Sequence, residues 1–255
     1  MFPLLAGKSY KLHLMLLLAA SNMNSEAFAK FKSILESVVY YTVIDKIATN
    51  ITERTFALWC RDVRNIITVE DLDCFVKNTI IPTVNDWKLD NKSNFLRLGL
   101  NSMQQYRIKF ILGKITAYVD ALKLGKTTVE DLTTYTETAV EIEHIMPQTC
   151  TDKELYGMDE EEFAVYINRL GNLTLLENTI NRSIQNDVYA NKATYYKQSK
   201  FYITSSISEL VNLGQDTAIN RTNSLLSSWS DWNKQAIEER QEMFYRLSEM
   251  IWELR

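Results

Sequence analysis

The sequence has few cysteines, glycines, prolines and histidines, and each scarcity excludes a class of structure. Its 255 residues include 3 cysteines, none in a CxxC pair, and 2 histidines. An odd cysteine count argues against a disulfide scaffold and is typical of a reducing compartment. So few scattered ligands cannot provide the paired spacings of a structural zinc site. Because the chain has only 7 glycines and 3 prolines, we expect few turns, long segments and a mostly helical protein.

The sequence also lacks a net positive charge. Its formal net charge of −4 counts, by itself, against nucleic-acid binding, because phosphate contacts come from lysine and arginine. The charges are unevenly distributed, however. Basic residues dominate segments 97–126 and 182–200, whereas segment 137–162 between them is strongly acidic. Such an order could place phosphate contacts on either side of a cation site, or it could reflect solvated helix faces.

No long apolar run is present. Lys8 and Lys11 precede the apolar segment 12–21, which resembles a secretory signal but is too short to span a bilayer and is interrupted by His13. Two interpretations are open, a signal peptide of a secreted helical protein or a buried first helix. No other segment could cross a membrane, and we expect a cytoplasmic protein.

Apolar residues at helical spacing dominate the first half of the chain. Thr68 forms a predicted capping box with Asp71 at the start of one helix, and Pro82 is expected to end that helix. Gly125 is expected to be the C-cap of the long helix that precedes it. The segment 85–94 is predicted to be a polar connection. The predicted helices cover residues 27–48, 50–63, 68–81 and 103–124.

The pattern changes after Thr127. Segment 139–145 alternates and is β-branched, which predicts a strand, and 170–176 predicts a second short strand. A capping box at 151–154, a polar turn over 177–183, and helices over 187–201 and 231–254 complete the prediction. We therefore expect a mainly α fold, a helical bundle with an embedded ββα motif, divided into residues 1–126 and 127–255.

The first predicted strand contains a candidate proton-transfer residue, His144. A histidine beside a carboxylate, here Glu143, has the ingredients for proton transfer near neutral pH, although such a pair is more often structural. Adjacent residues of a flat strand face opposite sides, so the two share a site only if the strand bends or ends there, which Pro147 permits.

Three elements together resemble the HNH, or His-Me finger, endonucleases. They are the run Glu143-His144-Ile-Met-Pro147, the middle Asn172 and, nine residues later, Asn181. The particular form of this motif, with glycine before the middle asparagine and asparagine as its third residue, is similar to the C-terminal domain of GmrSD-type restriction endonucleases, which include SspE-like proteins.

The resemblance implies a role for each of these residues. His144 would be the general base and Asn172 would tie the loop that positions it. Glu143 and Asn181 would bind one Mg²⁺ or Mn²⁺ ion. Two further residues, Arg182 and Lys192, would hold DNA phosphates.

Each role has a structural alternative. Asn181 could be a helix N-cap, Asn172 could occupy a left-handed turn and Lys192 could be a solvated lysine.

The resemblance also implies partners. In such proteins residues corresponding to 1–126 connect the nuclease to an N-terminal nucleotide-binding domain, and the sequence contains no GxxxxGK[ST] motif, so that domain would be missing from this chain. We therefore expect a metal-dependent DNA endonuclease that restricts foreign or modified DNA, as a possible homodimer. The alternative is a non-catalytic helical interaction module, in which the long amphipathic helices bind a partner chain.

Overall fold

The computed structural model describes residues 11–127, 129, 131–150, 153 and 156–254. It divides into two compact units, Met1–Phe95 with Trp252–Arg255, and Leu96–Ile251. This division by compactness lies earlier in the chain than the expected division after Lys126. The reason is that the long helix of residues 105–123 packs on elements of the second unit. The division into a connector and a nuclease domain stays a prediction.

The described part of the first unit contains helices joined by short connections, and none of its described residues forms a strand. Its helices are α1 (Leu12–Ala19), α2 (Ser25–Ile44), α3 (Thr49–Val63), α4 (Val69–Phe75), α5 (Ile81–Trp87) and α6 (Asn91–Leu96), whose last residue lies in the second unit. α1 packs on α3 with Leu16 fully buried, although Leu18 on the same helix stays largely exposed. Among the described residues, no helix combines the length and apolarity needed to span a membrane. Lys8, the other residue of the signal-like pattern, lies outside the described residues.

Side-chain capping marks the starts of two of these helices, α2 and α4. The Asn24 side chain accepts a hydrogen bond from the Ala27 backbone at the start of α2, and the capping box of Thr68 and Asp71 is confirmed at α4. The predicted polar connection 85–94 is instead partly helical. The amides of Asn91 and Asn94 in this stretch donate to the Asp45 carboxylate at 2.8 and 2.9 Å.

Pro82 does not end its helix, and that prediction was wrong. Residues Val76–Ile80 wind as a π-helix, and Pro82 then lies in the first turn of α5. A proline is tolerated in a first turn because its missing N–H has no intrahelical acceptor there. The wider π turn before it therefore lets the chain stay helical through the proline.

The second unit surrounds a two-stranded antiparallel sheet. β1 (Val140–His144) pairs with β2 (Leu173–Glu177), with His144 opposite Leu173. Its helices are α7 (Gln105–Lys123), α8 (Thr133–Thr136), α9 (Glu160–Tyr166), α10 (Asn178–Ile184), α11 (Tyr189–Tyr196), α12 (Tyr202–Ser205), α13 (Ala218–Asn223) and α14 (Lys234–Ile251). The mainly α fold class is confirmed. The capping box predicted at 151–154 falls largely outside the described residues.

Residues 178–183 of the predicted polar turn 177–183 belong to a helix, α10, and Glu177 is the last residue of β2. Its sequence is polar and has weak helix propensity. It nevertheless follows β2 directly and packs on both strands, so tertiary contacts decide its conformation. The hairpin and this helix together position the polar residues described next. Gly125, with φ of +72°, follows α7 as expected.

Candidate functional site

Asn172 fixes the end of β1. Its side chain is fully buried, its Oδ1 accepts the Met146 backbone N–H at 2.8 Å, and its Nδ2 donates to the Ile167 carbonyl at 2.9 Å. The Asn172 carbonyl also accepts the Ile145 backbone N–H at 2.9 Å. Asn172 lies in a 3₁₀ turn and does not have a positive φ, so the left-handed interpretation is excluded. Its bonds hold the two residues that follow His144.

His144 ends β1 and is 8% exposed. Its Nδ1 lies 2.7 Å from Gln148 Nε2. Burial and the nearby Lys192 ammonium lower the pKa of His144 to about 4, against a smaller opposing effect of a hydrogen bond with Asn168. The imidazole is therefore neutral at pH 7 and able to accept a proton.

The loop after His144 is fastened from a second direction by Asn186. The Asn186 Oδ1 accepts the Gln148 backbone N–H at 2.7 Å, and its Nδ2 donates to the Thr149 carbonyl at 2.9 Å. Gln185 before it has a positive φ of 47°. Loop residues between His144 and Thr149 are thus held by two asparagines, Asn172 just before β2 and Asn186 just after α10.

Glu143 belongs to a buried ion pair. Its Oε1 accepts from Lys192 Nζ at 2.7 Å and from the Tyr196 hydroxyl at 3.1 Å, and Lys192 is 1% exposed. Burial raises the pKa of Glu143, and the Lys192 ammonium opposes that rise. Lys192 Nζ also donates to the His144 carbonyl at 2.7 Å. The side chains of Glu143 and His144 thus have different partners, as adjacent strand residues do.

Asn181 is paired with Glu141 and not with Glu143. Its Nδ2 donates to Glu141 Oε2 at 2.6 Å, and both residues are half-buried. Asn181 lies inside α10, whose N-cap is Glu177, so the N-cap interpretation was wrong. Glu141 was not among the predicted site residues, although strand alternation places it on the same face as Glu143.

The two predicted phosphate-binding residues differ in placement. Arg182 is exposed and follows Asn181 on α10, so its guanidinium is accessible to a ligand. Lys192 is neither solvated nor available to a phosphate, because its ammonium is enclosed by Glu143 and the His144 carbonyl. We therefore correct its role from phosphate contact to counter-ion.

The oxygen donors suited to a hard cation are Asn181 and Glu141. An ammonium 2.7 Å from the Glu143 carboxylate opposes a divalent cation there, so Glu143 does not fit the ligand role expected of it. Because Asn181 Nδ2 is committed to Glu141, its Oδ1 is the atom able to bind a cation, and amide and carboxylate oxygens suit Mg²⁺ or Mn²⁺. Within the described part of the chain, no three His, Cys, Asp or Glu residues form a group able to hold a metal.

The chain also matches a known protein family. Residues 84–247 match the family described as GmrSD restriction endonucleases, C-terminal domain. The chain belongs to this GmrSD family. The matched range covers the hairpin, α10, α11 and most of α14, and the GmrSD assignment implies nuclease activity and DNA as the ligand. A search of curated proteins found no match.

Proposed function

We propose that this chain is a metal-dependent DNA endonuclease whose β1–β2–α10 segment is a His-Me finger, an HNH-type ββα motif. The observation that carries the proposal is a neutral histidine at the end of β1, held by Asn172, with Asn181 on the helix that directly follows the hairpin. An imidazole that is neutral at pH 7 has a ring nitrogen able to accept a proton, which is what a general base requires.

His144 takes a proton from the water that attacks the DNA phosphorus. For Nε2 to accept it, water must displace the Asn168 side chain that bonds the ring, and Nδ1 must hold the ring proton and donate it to Gln148, which then presents Oε1. A half-turn of the Gln148 amide exchanges its oxygen and nitrogen without moving the rest of the chain. Gln148 therefore sets the tautomer of His144, and the Asn186 bond to the Gln148 backbone keeps it within reach.

Glu141 and Asn181 would hold one Mg²⁺ or Mn²⁺ ion, and this ion shares a site with His144 only if β1 twists or bends at its end, because residues 141 and 144 of a flat strand face opposite sides. When bound, such an ion supplies stabilisation of negative charge on the phosphorane and on the leaving 3′ oxygen. The exposed Arg182 binds a flanking phosphate. We propose restriction of foreign or modified DNA in antiphage defence as the biological role, in the cytoplasm, with recognition assigned to a separate nucleotide-binding domain. A double-strand cut would need two such sites, as in a homodimer.

The test is cleavage of supercoiled plasmid in Mg²⁺ or Mn²⁺, with EDTA as the metal-free arm. We expect His144→Ala to reduce cleavage at least about 100-fold while the melting temperature stays close to that of the wild type. His13→Gln, which replaces the other histidine of the chain, in the first unit, is the matched control and should cleave normally. Full activity in folded His144→Ala would refute the mechanism. Absence of cleavage by the wild type with any divalent ion would favour the helical interaction module instead.

A further inference from the structure

The turn that carries Asn172 is held against α14, the last helix of the second unit. Arg240 Nη1 donates to the Gly171 carbonyl at 2.9 Å and to the Leu173 carbonyl at 2.7 Å, which are the carbonyls on either side of Asn172. The Gly171 backbone N–H in turn donates to Gln241 Oε1 at 2.6 Å. Two consecutive residues of α14 therefore grip the backbone that flanks the middle asparagine.

The packing between this turn and α14 leaves no room for a side chain at Gly171. A Cβ there would lie 2.2 Å from the Ile237 carbonyl oxygen and 3.0 Å from the Gln241 backbone nitrogen. Because backbone faces backbone, neither neighbour can rotate away. The glycine is thus required by the approach of α14 and not by its own φ.

Arg240 is an unusual residue to find in this place. It is 1% exposed, its guanidinium lies 4.4 Å from the Phe244 ring centroid, and its Nε and Nη2 make no hydrogen bond to a described residue. Burial lowers the pKa of Arg240 to about 9, which leaves it charged at pH 7. A buried charge without a carboxylate is costly, and a hydrophobic residue would fill the same volume more favourably. What the guanidinium adds is its pair of hydrogen bonds to the carbonyls of Gly171 and Leu173.

Trp232 extends the grip to the Asn172 side chain itself. Its Nε1 donates to Asn172 Oδ1 at 2.9 Å, the same oxygen that accepts the Met146 backbone N–H. The Asn172 Oδ1 atom thus links the Trp232 indole to Met146, which follows His144 by two residues. A continuous set of hydrogen bonds runs from Arg240, Gln241 and Trp232 through Asn172 to the end of β1.

We propose that Arg240, Gln241 and Trp232 are positioning residues of the nuclease site, which fix Asn172 and through it the orientation of His144. This makes α14 a part of the catalytic unit although it lies outside the ββα segment. The inference rests on the proposed function for its effect on catalysis, but its structural content can be tested without any activity.

The sharpest variant is Trp232→Phe, which removes the donor to Asn172 and keeps an aromatic ring. The chain offers a matched control, Trp229→Phe. Trp229 packs edge-to-face on Trp232, but its Nε1 donates to Glu239 at 2.9 Å and not to Asn172. Both variants lose one indole N–H bond of the same length from neighbouring positions, so a general loss of packing would affect them alike.

The first readout is the ¹⁵N spectrum of the His144 ring and the Asn172 side-chain amide. The chain has two histidines, so the His144→Ala variant assigns the ring signals. We expect Trp232→Phe to shift both sets of signals and Trp229→Phe to shift neither. In plasmid cleavage we expect kcat to fall about tenfold with KM within about twofold, because positioning affects the reacting geometry and not DNA binding.

Unchanged His144 and Asn172 signals in folded Trp232→Phe would overturn the proposal, whatever the activity. Should that variant not fold, Arg240→Lys, which keeps the charge but not the planar fork, is judged by the same spectra and the same criterion. Shifted signals together with an inactive wild type would support the positioning role and refute the proposed function, so the two failures are distinguishable. A kcat loss of equal size in Trp229→Phe would also overturn the proposal.

Discussion

Replacing Lys192 with methionine should destabilise the protein severely. Lys192 and Glu143 are 1% and 7% exposed, and their charged atoms lie 2.7 Å apart. Removing the ammonium leaves a buried carboxylate with only neutral partners, which costs about 3–5 kcal/mol. The hydrogen bond to the His144 carbonyl is lost as well, at about 1 kcal/mol. We therefore expect the free energy of unfolding to fall by about 4–6 kcal/mol.

Urea denaturation at pH 7.5 in EDTA measures this loss, and a double-mutant cycle identifies its source. If an uncompensated charge is the cause, Lys192→Met with Glu143→Gln should recover about half of the loss or more, because the buried carboxylate is gone. The surface pair of Lys197 and Glu209, with side chains 53% and 60% exposed, is the matched control. Lys197→Met should cost less than about 1 kcal/mol.

A cost below about 1 kcal/mol for Lys192→Met would contradict the reasoning, since that is the value of a solvated pair. So would a double variant no more stable than Lys192→Met alone. Either result would mean that Glu143 has another counter-ion, and the ligand role expected for it from the sequence would then be open again.

Three further outcomes are expected. Gly171→Ala should lower the free energy of unfolding by at least about 1–3 kcal/mol in urea denaturation, because its Cβ would overlap the Ile237 carbonyl, and an unchanged value would contradict the packing described. The pKa of histidine is near 6.5 in the unfolded chain and about 4 for His144 in the folded protein, so between these pH values only the unfolded state binds the proton. The free energy of unfolding should therefore fall by up to about 3 kcal/mol as the pH drops from 6.5 to 4. His144→Gln should show a flatter dependence of this free energy on pH. Glu141→Gln should reduce the rise in melting temperature caused by Mn²⁺, whereas an undiminished rise would exclude Glu141 as a ligand.

The long helices and both strands were predictable because their patterns are strongly periodic, whereas short helices such as α8, α12 and α13 were not predicted. Burial of long apolar stripes fixed α2, α3, α7 and α14 within a few residues, and alternation fixed β1. The errors occurred where neighbours override local preference. α10 is helical through contacts with the hairpin, and the helix continues through Pro82 because a π turn precedes it.

Within the site, residue types were predictable but partners were not. Asn172, Asn181 and His144 all lie at the hairpin and the helix after it, as their spacing indicates. The exchange of partners, with Asn181 on Glu141 and Lys192 on Glu143, depends on how α10 and α11 lie across the sheet. Arg240 and Trp232 lie 60 residues or more beyond Asn172 in the chain, and no local signal connects them to it.

Two lysine side chains form hydrogen bonds to the edge of β1 that faces away from β2. β1 is bonded to β2 along one side only, and the carbonyls of Val140 and His144 point away from β2. Lys109 Nζ takes the first at 2.5 Å and Lys192 Nζ takes the second at 2.7 Å. Two ammonium groups thus occupy two of the backbone acceptors that a third strand would need, which disfavours self-association through this edge.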